Sequence, residues 1–359
     1  MKILDRYCIK EFARYFIIIL ISFVALYIVI DFFGRLRMFL SNQATLRQMG
    51  SFVLFSVPMI IWQIIPACVL ISSLVTFGSL SRSNEIIAIK AGGVSIYRMA
   101  LPVIVMAASI GIIHFALSEV VTPYTNERAE HIKLTEIQKR EAPGSFKQNQ
   151  IWYRGKAGIY NFKVFDGRTN TLHGITIYRV DRKLNLVQRD DAEKGQWENG
   201  RWVFYDLITT SFAPGEFPKL EASDFKAMDM PEEPENFMTV QKNAENMGFR
   251  ELRKYIQEIQ ADGYDATSYL VDMHAKLAFP LINIIMAILG IASSISWERR
   301  GGIAQGLATG IMIGFSYWIF FAFLVSLGRA GALPPLLAAW TTNILFGGAA
   351  GYLFLRVRT

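Results

Sequence analysis

Apolar residues gather into six long runs along this chain, and a polar stretch separates the third run from the fourth. The runs cover roughly Phe16 to Phe33, Phe52 to Leu80, Ile96 to Val121, Leu270 to Ile295, Ile303 to Leu327 and Leu336 to Leu355. Each reaches the length of about 18 residues that marks a membrane-spanning helix. The second carries Pro58 and Pro66 and outruns a hydrocarbon core, so it is expected to tilt, kink or protrude. A signal peptide competes for the first run, but the run is too long for one and no small-residue cleavage site follows it. The first run is therefore read as an uncleaved span.

The polar block changes period. "QIWYRGKAGIYNFKVF" (150–165), "TLHGITIYRV" (171–180) and "LNLVQRD" (184–190) are strand-like runs cut by Gly and Asp. "GQWENGRWVFYDL" (195–207) predicts a hairpin turning at Asn199-Gly200 between two tryptophans. Such a series predicts an antiparallel sandwich, jellyroll or barrel-like sheet. "GFRELRKYIQEIQADG" (248–263) returns to a helical period, with Phe249, Leu252, Tyr255, Ile256 and Ile259 on one face. The expected order is helices one to three over 1–122, a β domain over 123–247, a connecting helix over 248–268, and helices four to six over 269–359. The fold class is a polytopic α-helical membrane protein with an antiparallel β domain inserted between helices 3 and 4.

Composition supports this division. The chain is 52% hydrophobic with a mean hydropathy of +0.29, more apolar than a soluble domain of its length. The net charge of +7 is unevenly placed: residues 124–268 carry −2 and the apolar regions +9. A basic soluble face for nucleic acid is thus missing. With six spans both termini share one side, and the short connections there carry 11 basic residues against 4 on the other. The positive-inside rule then puts the termini in the cytoplasm and the β domain outside, in the periplasm of a bacterial cell. The basic start, with Lys2, Arg6, Lys10 and Arg14 around Ile3, Ile9 and Phe12, reads as a helix lying at an anionic leaflet.

Little in the sequence supports an enzyme. "GKAG" (155–158) lacks the spacing of a phosphate-binding loop, and no serine elbow, HExxH or paired-carboxylate pattern appears. Cys8 and Cys68 lie outside the β block, and the four histidines lack ligand spacing, so neither disulfide framework nor metal site is expected.

Four features carry candidate chemistry. "LSRSNEIIAIKAGG" (80–93) sits between spans two and three, with Ser81 or Ser83 placed to cap a short helix, Glu85 in its first turn, and Gly92-Gly93 to end it. It is either a plain basic loop or a knob that docks on a cytoplasmic partner; Ile86, Ile87 and Ile89 favour docking. Arg35, Arg37 and Arg47 stand on the outer side, joined by Arg128 and Lys133 after span three. They are either snorkelling interface residues or cations for an anionic headgroup, and Asp31 is spaced to pair with Arg35. His114 and Glu119 in span three are self-satisfied polar residues or parts of a proton relay, while Asp272 and Lys276 are spaced to pair with each other. Gly306, Gly310 and Gly314 form a small-residue ridge for packing within the chain or against a second subunit.

"LDRY" (4–7), "SRSNEIIAIKAGG" (81–93), "FPLINIIMAILGI" (279–291) and the β block between spans three and four together resemble the LptF/LptG permease family, with "LDRY" leaning to its LptG branch. The resemblance covers essentially the whole chain. It implies three spans, a periplasmic β-jellyroll and three further spans, working as a membrane subunit of the lipopolysaccharide export ABC transporter. It implies a homologous permease (LptF) beside this chain, a dimer of the ATPase LptB below, and the bridge protein LptC with LptA-type jellyrolls beyond. No cofactor is implied on this chain, since ATP and Mg are held by the ATPase. The segment 81–93 becomes the coupling helix, with Arg82, Glu85, Ile86 and Ile89 facing the ATPase and Glu85 matching the acidic docking residue. Arg35, Arg37, Arg128 and Lys133 become the lipopolysaccharide cations, although Asp31 stands where relatives can carry a basic residue. A non-transporting scaffold anchoring a periplasmic β domain is the alternative reading.

Overall fold

The computed structural model describes residues 2–139, 144–147, 150–155, 158–166, 169–180, 185–198, 200–212, 217–228, 230–234, 237, 244–261, 265–297 and 302–356. It divides into a helical unit (1–133, 244–256 and 265–359) and a β unit (134–243 and 257–264).

The helical unit begins with α1 (Lys2–Ser41), one uninterrupted helix. Leu4, Cys8, Phe12 and Phe16 recur every four residues and pack into the core, so this stretch faces the bundle while Ile3 stays exposed. The amphipathic start is therefore the foot of the first span. Helix α2 (Leu46–Arg82) starts on a capping box, in which Thr45 Oγ1 accepts from the Gln48 amide and the Gln48 side chain accepts from the Thr45 amide. Its buried residues concentrate from Ile65 to Ser81. A tight turn leads to α3 (Glu85–Ala91), then α4 (Ile96–Ala116) with Ser95 as its N-cap.

The helical path does not stop at the end of the third apolar run. It passes through a π-turn (Leu117–Val121) into α5 (Thr122–His131) and a second π-turn (Ile132–Ile137), and the first strand begins at Gly144. The return path is α6 (Phe249–Ala261), α7 (Thr267–Trp297), α8 (Gly302–Arg329) and α9 (Pro335–Leu355). On α6, Leu252, Tyr255, Ile256 and Ile259 are buried, as their spacing predicts. Among the described residues, five helices are long and apolar enough to cross a membrane: α1, α2, the α4 path, α7 and α8. Helix α9 has 21 residues, about 31 Å, but its polar centre Thr341-Thr342-Asn343 lowers its hydropathy. That centre is used internally: Tyr317 Oη donates to Asn343 Oδ1 at 2.7 Å, and Asn343 Nδ2 donates to the Ala278 carbonyl at 2.6 Å.

Small residues let these helices approach. Leu74 and Leu70 of α2 lie against Gly310 and Gly314 of α8, so these two ridge glycines serve packing within the chain. Gly290 of α7 meets the α2 backbone at Leu70.

In the β unit the eight described strands, β1 (Gly144–Lys147), β2 (Gln150–Arg154), β3 (Ile159–Phe162), β4 (Val164–Asp166), β5 (Thr171–Val180), β6 (Leu186–Glu198), β7 (Arg201–Ser211) and β8 (Lys219–Met228), form one antiparallel sheet. The order is β1-β2-β3-β5-β6-β7-β8, with β4 paired to β5. The predicted hairpin joins β6 and β7: Trp197 pairs with Trp202, their rings meet edge-on at 5.3 Å, and Gly200 takes φ +80° in the turn; Asn199 lies outside the described residues. Alternate residues build an aromatic core around Phe237, Tyr160, Phe162, Phe165, Trp202 and Phe204.

Candidate functional site

Between α2 and α4 the chain makes a compact knob. Neither predicted serine caps α3. Ser81 is buried in the last turn of α2, and the N-cap position falls to Asn84, in the left-handed region at φ 60°. Ser83 instead donates its hydroxyl to Glu85 Oε1 at 2.8 Å. The end of the helix follows the sequence reading: Gly92 closes it and Gly93 turns the chain at φ +80°. The isoleucines divide by face. Ile86 is buried in the bundle core, Ile89 is partly buried against it, and Ile87 is 57% exposed. Arg82 and Lys90 are exposed beside it. A seven-residue helix is thus anchored by two side chains and presents one apolar and one basic side chain, with Arg82 at the end of α2 beside them. Two contacts that sequence spacing does not reveal also run from the α1 foot to the knob and to the start of α4: Tyr7 Oη donates to Glu85 Oε2 at 2.8 Å, and Arg98 Nη2 donates to Asp5 Oδ2 at 2.8 Å.

The four candidate cations stand on three elements. Arg35 and Arg37 lie near the far end of α1. Arg35 is engaged twice, paired with Asp31 at 2.9 Å and placed 5.1 Å from the centre of the Phe52 ring. Arg37 is exposed. Arg128 is exposed in the last turn of α5, and Lys133 follows in the second π-turn, half-buried. Both α1 and α5 pack on α2.

The helical unit also holds a cavity of about 320 Å³ between α2, the first π-turn, α7 and α8. Trp62, Phe279, Trp318 and Phe321 supply apolar walls, and Asp272, Lys276, Arg329 and Glu245 supply charge. The i,i+4 spacing of Asp272 and Lys276 predicts an ion pair, but the structure pairs Asp272 with Arg329, at 2.6 Å to Nη2 and 2.8 Å to Nε. The end of α8 brings a guanidinium fork alongside α7, and the fork holds the carboxylate with two nitrogens where an ammonium offers one. Spacing along α7 cannot reveal a partner 57 residues away.

His114 and Glu119 are both engaged locally. His114 Nδ1 lies 3.0 Å from Asn283 Nδ2, and its ring sits beside the touching rings of Trp62 and Phe279. The Glu119 carboxylate accepts from the amides of Phe249 and Arg250 and so closes the start of α6. Among the described residues no group of His, Cys, Asp and Glu is placed to hold a metal ion.

Comparison with known proteins agrees with this architecture. The family model described as lipopolysaccharide export system permease LptF/LptG matches residues 6–356. The lipopolysaccharide export system permease protein LptG of Escherichia coli (strain K12) is 22% identical over 364 residues, covering 99% of this chain and 98% of that protein. The LptG protein of Haemophilus influenzae is 20% identical over 360 residues, covering 99% of each. With an inserted antiparallel sheet, apolar helices on either side of it and a match across almost its whole length, the chain belongs to the LptF/LptG family of lipopolysaccharide export permeases.

Proposed function

We propose that this chain is the LptG-type membrane subunit of a lipopolysaccharide export ABC transporter, driven by ATP hydrolysis on a separate LptB dimer. The observation that carries the reading is the knob at α3. A sequence without a phosphate-binding loop carries a short helix fixed to its bundle by Ile86 and Ile89, with an oriented carboxylate at Glu85. That is the form a contact needs if it is to pass another protein's motion into the spans. Arg82 and Ile87 flank Glu85 on the exposed side and complete the contact.

The remaining assignments follow from charge. The excess of 11 to 4 basic residues in the short connections supports a cytoplasmic knob, cytoplasmic termini and a periplasmic β unit, in the inner membrane of a bacterial cell. Arg37, Arg128 and Lys133 then face the outer side and meet the phosphates of lipopolysaccharide, since cations hold phosphate oxygens by charge-assisted hydrogen bonds. Arg35 contributes less, because Asp31 already neutralises it. The apolar walls of the 320 Å³ cavity offer a surface of the kind acyl chains need. The second permease LptF, the bridge LptC and LptA-type jellyrolls are the expected partners.

The test is Glu85→Ala in the chain co-expressed with LptB, LptF and LptC. The variant should keep its spans and lose bound ATPase together with ATP-dependent lipid release. Unchanged ATPase recovery and unchanged release remove the docking role.

A further inference from the structure

The stretch Leu4-Asp5-Arg6-Tyr7 has an internal logic that the docking reading leaves unused. Leu4 packs on the core, Asp5 takes Arg98 at the start of α4, and Tyr7 reaches Glu85 at the start of α3. Cys8 and Phe12 sit behind them, in one buried cluster with Leu80, Ile86, Ile96 and Met99. The foot of α1 thus touches the start of α3 by a hydroxyl–carboxylate bond and the start of α4, the next helix, by an ion pair. The same helix runs unbroken for 40 residues, about 60 Å, and carries Arg35 and Arg37 near its far end.

We propose that Tyr7 is a positioning residue for coupling: it fixes the Glu85 carboxylate for the ATPase and ties the α3 segment to the first span, so that displacement of the segment is delivered to α1. The proposal rests on the docking reading above. The bonding capacity of a carboxylate makes it workable. Glu85 accepts one bond at Oε2 from Tyr7 and one at Oε1 from Ser83. An ionised carboxylate offers about four acceptor sites, so a partner's guanidinium can bind without displacing either. Tyr7 thereby orients the docking group and stays attached through the cycle. Its reach to Glu85 spans 78 residues, which makes this bond a link between α1 and the knob, whereas the Ser83 bond is local.

The experiment uses the whole permease–ATPase complex in liposomes, with ATP hydrolysed and lipopolysaccharide delivered measured together. Tyr7→Phe keeps the ring and removes only the hydroxyl. It should leave ATPase recovery and hydrolysis within twofold of the parent and lower lipid delivered per ATP by about tenfold or more, the scale of one lost hydrogen bond to a charged group. Tyr97→Phe, which removes the hydroxyl of a half-buried tyrosine that donates to the Leu355 carbonyl and not to Glu85, should leave the ratio unchanged. The proposal is overturned if the Tyr7→Phe ratio equals the parent's. It is also overturned if recovery and delivery fall in proportion, because the hydroxyl then serves docking alone. Failure of the docking reading appears separately, as a Glu85→Ala complex that retains both its ATPase and its delivery.

Discussion

The contact between α2 and α7 turns on one absent methyl group. A Cβ at Gly290 would stand 2.6 Å from the Leu70 carbonyl oxygen, 2.8 Å from Ser73 Cβ and 3.1 Å from the Leu74 amide nitrogen. Two of these atoms are backbone, so no rotamer change relieves the clash. Gly290→Ala must push the helices apart by about 0.8 Å to reach ordinary contact at 3.4 Å. Overpacking of this kind costs about 1–3 kcal/mol. Alanine also gains up to about 1 kcal/mol over glycine in helix propensity, which would mask part of the loss. Gly348→Ala on α9 cancels that term, since a Cβ there meets nothing within 4 Å. The difference between the two variants isolates the clash. Cys68 gives a local probe, because it is fully buried on α2 less than one turn before Leu70. In a Cys8→Ser background, Cys68 of Gly290→Ala should react with a thiol reagent about 5- to 150-fold faster than Cys68 of Gly348→Ala, the rate equivalent of that energy. Lipid delivery should fall in the same variant, since α2 leads directly into the knob. Equal labelling rates in the two variants would show that the helices have slack here and refute the reasoning.

Two further outcomes are expected. Glu119→Ala removes the carboxylate that closes the start of α6, so hydrogen exchange at residues 249–253 should rise by the equivalent of about 0.5–2 kcal/mol; unchanged exchange would mean water replaces the cap. Burial on the sheet holds the His173 imidazole below its usual pKa, with Asp166 opposing the shift and Lys194 adding to it. The unfolded chain therefore binds the proton more readily than the fold does. This contribution to stability is complete above about pH 6.5 and lost as pH falls through the acid range. Exchange of β4 and β5 in the full chain, corrected for intrinsic rate, should accelerate from pH 7.5 to 5.5, and His173→Gln should flatten that dependence; a profile that the substitution leaves unaltered would sink the assignment.

Local pattern carried the architecture of this chain. Runs of apolar residues mark helices because burial in a lipid core demands length and leaves no backbone group unpaired. Alternation marks the strands of 150–228, and Asn199-Gly200 marks their hairpin, because period and turn chemistry are properties of adjacent residues. The glycines after α3 and the Asp31–Arg35 pair were legible for the same reason. Even the Thr45–Gln48 capping box was open to reading, as a Thr followed three residues later by Gln. Partners across the fold were not legible. Asp272 passes over Lys276, four residues away, for Arg329 on α8. Glu119 closes a helix that begins 130 residues later, and Glu85 takes a hydroxyl from Tyr7. Spacing along one helix ranks only the candidates on that helix. Which charges and hydroxyls meet is fixed by how helices cross, and that depends on where Gly290 lets the α2 backbone come close and Gly310 and Gly314 admit the leucine side chains of α2. The sequence by itself determined which segments are helix, strand and turn; the tertiary structure decided which side chain each polar group answers to.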